Sequence, residues 1–139
     1  MYYKMDITQF PIVFVDFFNI TNDINLDDFL NEWKQLYNKQ KTFTLVFDTT
    51  HITTDISFIK HSYKMIDFIS EIKNLPPLLC NSIIIVQNNI IKNFLYFIFQ
   101  IQSPVSTVYI TKPTDINLLL KQISFSKEWY SPDIIKIQP

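Results

Sequence analysis

The stretch SIIIVQNNIIKNFLYFIFQIQSPVSTVYI, residues 82–110, decides how the rest of the chain is read. It opens with Ser82 to Val86 and closes with Val105 to Ile110, two runs too apolar and too β-branched for a surface strand. Between them Asn88 or Asn89 offers a helix N-cap, Ile90 to about Gln102 continue without a proline, and Pro104 marks the break before the next strand. Strand, helix and strand in so short a span make a βαβ unit, whose strands run parallel. The length of Ile83 to Ile101 suits a membrane span, but Gln87, Asn88, Asn89, Lys92, Asn93 and Gln100 interrupt it, and a buried strand, a polar turn and a helix explain it better.

The helix of this unit is the unusual part. Ile90, Ile91, Phe94, Leu95, Phe97, Ile98, Phe99 and Ile101 leave it almost no polar face, whereas a helix on the surface of a sheet needs one apolar stripe. Successive residues such as Phe97, Ile98 and Phe99 point about 100° apart and cannot all face the sheet. Phe94, Phe97, Ile98 and Ile101 are therefore the candidates for a partner or apolar-ligand surface.

Working outward, Phe43 to Phe47 (FTLVF) reads as another buried strand, closed by Asp48-Thr49-Thr50, and a polar loop over Thr49 to Asp55 leads to Ser57 as N-cap of a helix over roughly Phe58 to Lys73. Tyr63, Ile66, Ile69 and Ile72 are expected on its inner face. Ile12 to Phe18 (IVFVDFF) is a central strand by the same argument, and Tyr3, Met5 and Ile7 alternate with polar residues before it as an edge strand would, with Pro11 at the corner. Asn25 is expected to cap a helix over Leu26 to Gln40, with Leu26, Phe29, Leu30, Trp33 and Leu36 or Tyr37 on one face, acids near its start and lysines near its end. Thr114 or Asp115 opens a last short helix carrying Ile116, Leu119, Leu120 and Ile123, after which Trp129 and Tyr130 pin a tail to the body. The expectation is one α/β domain with a mostly parallel sheet of four or five strands covered by about four helices.

Composition narrows the function. A chain of 139 residues that is 47% hydrophobic can bury one substantial core. The formal charge of −1 provides no basic field for nucleic acid. There is no glycine, which excludes glycine-dependent phosphate cradles such as the P-loop and the Rossmann fingerprint, because those loops need φ > 0 or close backbone approach. The single cysteine, Cys80, precludes an intrachain disulfide and points to a reducing, cytoplasmic setting; with Ile83 to Val86 close behind, it is expected to be a buried, inert thiol. Met1 to Gln9 lacks the apolar run of a signal peptide and reads as mature protein. The abundance of Ile, Asn, Lys and Phe suits an AT-rich genome, such as that of a protist or a large DNA virus.

In order and spacing, FTLVFDTT at 43–50, the loop and helix after it, and residues 78–120 resemble the SpoIIAA-like fold shared by STAS and CRAL-TRIO domains, over about residues 10–123. Phe47-Asp48, Ile83 to Val86, Ile90 to Ile101 and Val105 to Ile110 stand where CRAL-TRIO domains have a strand ending in a hydrophobic-Asp pair, a further strand, a mobile helix over the lipid pocket and another strand. Asp48-Thr49-Thr50 and Asp55-Ile56-Ser57 stand where STAS domains have "DLS" and the "DSSG" of the next helix start. The chain lacks the STAS glycine and second serine, and its 139 residues leave no room for the N-terminal helical subdomain of full lipid-transfer proteins. These departures argue against a phosphorylation switch at Ser57 and against a closed lipid cavity. The resemblance implies a non-enzymatic interaction module, self-associating or bound to a protein partner, with lipid or other apolar-ligand binding as the alternative and an unrecognised enzyme as the third reading.

Asp48, Thr50, Asp55 and Ser57 are the loop and phosphoacceptor candidates, since α/β sheets place functional groups at the C-terminal ends of their strands. Against chemistry there, Asp in a strand-to-helix loop commonly closes a turn, and His51 and His61 lack the i, i+4 spacing of a helical metal pair. No catalytic residue, cofactor, metal or transmembrane segment is expected.

Overall fold

The structure is a computed structural model and describes residues 3–18, 23–52, 61–113 and 134–139. In chain order these form β1 (Tyr3–Asp6), β2 (Ile12–Phe17), α1 (Asp23–Leu36), β3 (Phe43–Asp48), α2 (Ser62–Ile72), β4 (Leu79–Ile85), α3 (Asn89–Ile101), β5 (Thr107–Thr111) and β6 (Ile135–Ile137). All six strands join one sheet in the order β1-β2-β3-β4-β5-β6. The four inner strands pair in parallel, in registers such as Val13 with Leu45, Leu45 with Ser82 and Ser82 with Val108. β1 and β6 flank them antiparallel.

The sheet is thus mixed and six-stranded, with its three inner pairings parallel and one strand more than the four or five expected. The extra strand is Ile135–Ile137, only three residues long, and so brief a segment carries no periodicity of its own; it is defined by the open edge of β5 that it pairs with. The described residues hold three α-helices. The expected fourth helix, with Trp129 and Tyr130, lies outside them.

A strictly sequential strand order has a geometric consequence. Each right-handed crossover steps the same way across the sheet, so each returns over the same face. α1, α2 and α3 accordingly share one apolar cluster with Val13, Val15 and Phe17 of β2, Leu45 and Phe47 of β3, Ile84 of β4 and Val108 and Ile110 of β5. An aromatic stack runs through its centre: Phe29 meets Phe17 edge-on at 4.9 Å and Trp33 meets Phe68 at 4.8 Å between ring centroids. On the opposite face Val46, Ile83, Ile85 and Tyr109 form a second, smaller cluster with Ile12, Phe14 and Ile134 against it.

Several local expectations shift. α1 begins at Asp23, so Asn25 lies within the helix instead of capping it, and the helix gives way at Tyr37 to a 3-10 turn ending at Gln40. In a glycine-free chain the left-handed position that closes this turn falls to Gln40, at φ 55°. In α2 the buried residues are Phe68, Ile69 and Ile72, while Tyr63 is 52% exposed: the helix turns Phe68 towards Trp33, which rotates Tyr63 outward. Cys80 is exposed, not buried. It occupies a register shift between β3 and β4, where Phe43 pairs with Leu79 and Thr44 with Asn81, and an extra residue at such a bulge leaves the ladder.

Candidate functional site

The sequence singles out the corner at Asp48. Asp48 ends β3 beside Asp16 of β2 in the parallel register. Its Oδ1 accepts hydrogen bonds from the Thr50 backbone N–H at 2.9 Å and from the Thr50 hydroxyl at 2.6 Å, a side-chain-closed turn. Thr49 is buried, and its N–H and hydroxyl both donate to the Ile85 carbonyl. His51 is exposed and stacks on Phe18 at 5.7 Å. Asp48, Thr49 and Thr50 therefore spend their polar atoms on fastening β3 to β4 and shaping the corner. Doubly wound sheets gather ligands in the crevice where strand order reverses, and the order β2-β3-β4-β5 never reverses. Asp55 and Ser57 lie outside the described residues. Among the described residues no group of acidic, histidine and cysteine side chains is arranged to hold a metal ion.

The stronger feature lies between sheet and helices. A cavity of about 130 Å³ is lined by Phe29 and Trp33 of α1, Met65 and Ile69 of α2, Leu95, Ile98 and Phe99 of α3, Phe47, Leu79, Ile84 and Val108 of the sheet, and Pro104, Val105 and Ser106 of the α3–β5 connection. Its wall is apolar apart from a few hydroxyls. Thr49 is already committed to Ile85, but among the described residues the buried hydroxyl of Ser106 has no hydrogen-bond partner.

The two faces of the third helix differ. Asn88 caps α3 by accepting the Ile90 N–H at 2.7 Å. Ile91 and Ile98 are buried against the sheet, Leu95 and Phe99 line the cavity, and Ile90, Phe97 and Ile101 stand 48%, 49% and 56% exposed. Of the four residues that the sequence nominates here, Ile98 belongs to the interior, Phe94 is half-buried against the core, and Phe97 and Ile101 face outward. The structure thus divides them among the core, the cavity wall and an outer stripe.

The liners that sequence reasoning misses are Met65, Pro104, Val105 and Ser106. Their individual signals are weak, since each is an ordinary residue beside a strand or helix end, and only the three-dimensional arrangement makes them neighbours.

Charge and titration mark other places. Lys64 pairs with Asp27 at 3.0 Å and Lys34 with Glu71, tying α1 to α2 on the outside. Burial raises the Tyr37 phenol above its ordinary pKa of 10.0, weakly opposed by the nearby Trp33 indole, which does not close a well-formed hydrogen bond. Asp6 is held below the ordinary carboxylate value, chiefly by the Thr8 hydroxyl at 2.6 Å.

No family model, curated protein or solved structure matches this chain. The described helices include none long and apolar enough to cross a membrane.

Proposed function

We propose that this chain is a non-enzymatic binding module of the SpoIIAA-like (STAS or CRAL-TRIO) type whose ligand is a small apolar molecule held beneath α3. The observation that carries the reading is the cavity of about 130 Å³ between the sheet and three helices, whose largely apolar wall includes, among the described residues, the Ser106 hydroxyl and the Trp33 indole N–H without hydrogen-bond partners. An apolar cavity of about 150 Å³ stays dry and takes up benzene, so this one suits a ring or short aliphatic chain with a single hydrogen-bonding group. It is too small for a whole lipid. The parallel, sequential βα order supports the SpoIIAA-like assignment, and the engagement of Asp48 and Thr50 in turn closure supports a binding role over catalysis at that corner.

The test uses benzyl alcohol and n-hexanol as probes. Saturable chemical-shift changes at the Ile98 and Val105 methyls, with a rise in Tm, are expected for the wild type. Val105→Phe fills the space and should abolish both while the protein stays folded. If neither probe saturates, or if Val105→Phe binds them as well as the wild type, the cavity reading is wrong.

A second reading, a protein-interaction module that self-associates, is favoured by the exposed apolar residues of α3, which the cavity does not use.

A further inference from the structure

We infer that the ligand proposed above is a short monocarboxylic acid, its apolar tail in the cavity beneath α3 and its carboxylate in a cleft that adjoins the cavity, beside Lys73 and Tyr37. The inference rests on the cavity reading and adds to it the charge of the ligand's outer end.

The first observation is continuity. A cleft of about 310 Å³ lies on the outer side of the cavity, and Ile72, Leu79 and Val105 line both spaces. Ile72 and Leu79 are buried, whereas Val105 is half-buried and lies in the α3–β5 connection, outside any helix or strand. A ligand whose apolar part fills the cavity therefore reaches the cleft by passing one valine side chain.

The second is the chemistry of the walls. Among the described residues the cavity has no charged liner, and Lys73 is the only one in the cleft. An ammonium ligand meets no counter-ion in either space, and an anion meets one. The uncharged polar groups agree. The Trp33 indole, which can only donate, is buried and has no hydrogen-bond partner among the described residues, and it lies near the Tyr37 hydroxyl of the cleft without closing a bond to it. A ligand oxygen placed where cavity and cleft meet supplies the acceptor that the indole lacks.

The third is preorganisation. Lys73 Nζ donates to the Ser103 hydroxyl at 3.0 Å, which holds the ammonium at the rim and leaves its remaining N–H donors for an anion. The rim is closed by the Leu75 N–H donating to the Ile72 carbonyl and the Leu78 N–H to the Pro76 carbonyl, and Pro76 and Pro77 fix φ between them. A cleft already built in the free chain needs little ordering on binding.

The volume of about 130 Å³ limits the tail to a phenyl ring or a chain of about six carbons. Hexanoate, n-hexanol and hexylamine share one chain and differ in the end group, so titrating all three near neutral pH, followed at the Ile98 methyls and the Lys73 side chain, tests the inference. An ion pair as exposed as this one is worth a factor of about five in affinity. Hexanoate should accordingly bind the wild type about fivefold more tightly than n-hexanol at low salt, with hexylamine the weakest, and the preference should shrink as salt is added. Hexanoate should shift both the Ile98 methyls and the Lys73 side chain, and n-hexanol the Ile98 methyls alone. Lys73→Met should remove the preference and leave n-hexanol binding unchanged, while Lys73→Arg should retain it. If n-hexanol saturates and hexanoate binds no more tightly, or hexylamine binds best, the cavity reading stands and this inference falls. A preference for hexanoate that survives Lys73→Met places the carboxylate elsewhere and overturns it. Loss of n-hexanol binding in Lys73→Met overturns it too, since Lys73 would then support the fold and not the ligand. If no probe saturates, both readings fall together.

Discussion

α1 and α3 cover the same face of the same sheet, and they are built on different plans. α1 buries Leu26, Phe29, Leu30, Trp33 and Leu36 and turns Asp27, Asp28, Asn31 and Glu32 outward, with Asp27 and Lys34 paired to lysine and glutamate of α2. α3 buries Ile91 and Ile98 and still exposes Ile90, Phe97 and Ile101. The apolar content of α1 is consumed by the core. That of α3 exceeds what its inner face can take up, and the cavity beneath it shows that even the inner face is incompletely packed. The difference separates residues that hold the fold from residues whose apolar surface the described fold leaves uncovered.

The comparison breaks first at Phe29. This ring is 2% exposed and touches Tyr3, Phe17, Trp33 and Phe47, so Phe29→Ala should cost about 3–5 kcal/mol in urea unfolding. A loss below about 1 kcal/mol would mean that α1 does not anchor the core as described.

Ile98→Ala removes a buried inner-face side chain of α3 and should cost about 2–4 kcal/mol, but it also enlarges the cavity, so the truncated protein should regain more Tm from n-hexanol than the wild type does. Destabilisation with no added ligand response would place Ile98 in ordinary core.

At the outer stripe, Phe97→Ser should shift monomer stability by no more than about 1 kcal/mol, because half the ring is already in water. Equal losses for Phe97→Ser and Ile98→Ala would erase the distinction between the two faces.

The smallest effect belongs to the end of α1. Tyr37 keeps its proton more tightly in the folded chain than in the unfolded one, so its contribution is fully present below the ordinary value of 10.0 and is lost as pH rises through its raised pKa. Tyr37→Phe should flatten the alkaline fall in stability above that value; an unchanged alkaline limb would assign the loss to other groups.

Much of the architecture was legible because buried strands and amphipathic helices carry distinct periods. Ile12, Phe43 and Ser82 lie within parallel strands and Val105 leads into the next, while Asn88 caps α3 as its place before an apolar helix suggests. The failures share a cause. Ile135–Ile137 is too short to show alternation, Cys80 sits at a bulge where the period slips, and the helical spacing that suits Tyr63 to the inner face is satisfied equally well by Phe68 and Met65. The Asp48 corner was legible as a strand end, but its polar atoms are taken by Thr50, a local bond that residue identity alone does not assign.

The sequence by itself determined the α/β alternation, the exclusion of glycine-built phosphate loops and the surplus of apolar residues in α3, because these depend on residue type and nearest-neighbour period. Only the tertiary structure decided which side each residue of α3 serves, that the strands lie in sequential order with three helices on one face, and that Ser106, Val105, Met65 and Trp33 meet around a single cavity. A void and an exposed stripe are what remains after many side chains from distant parts of the chain have packed. The void is a property of no one segment and leaves no mark in the order of residues along it, whereas the stripe shows in the sequence only as a surplus of apolar residues.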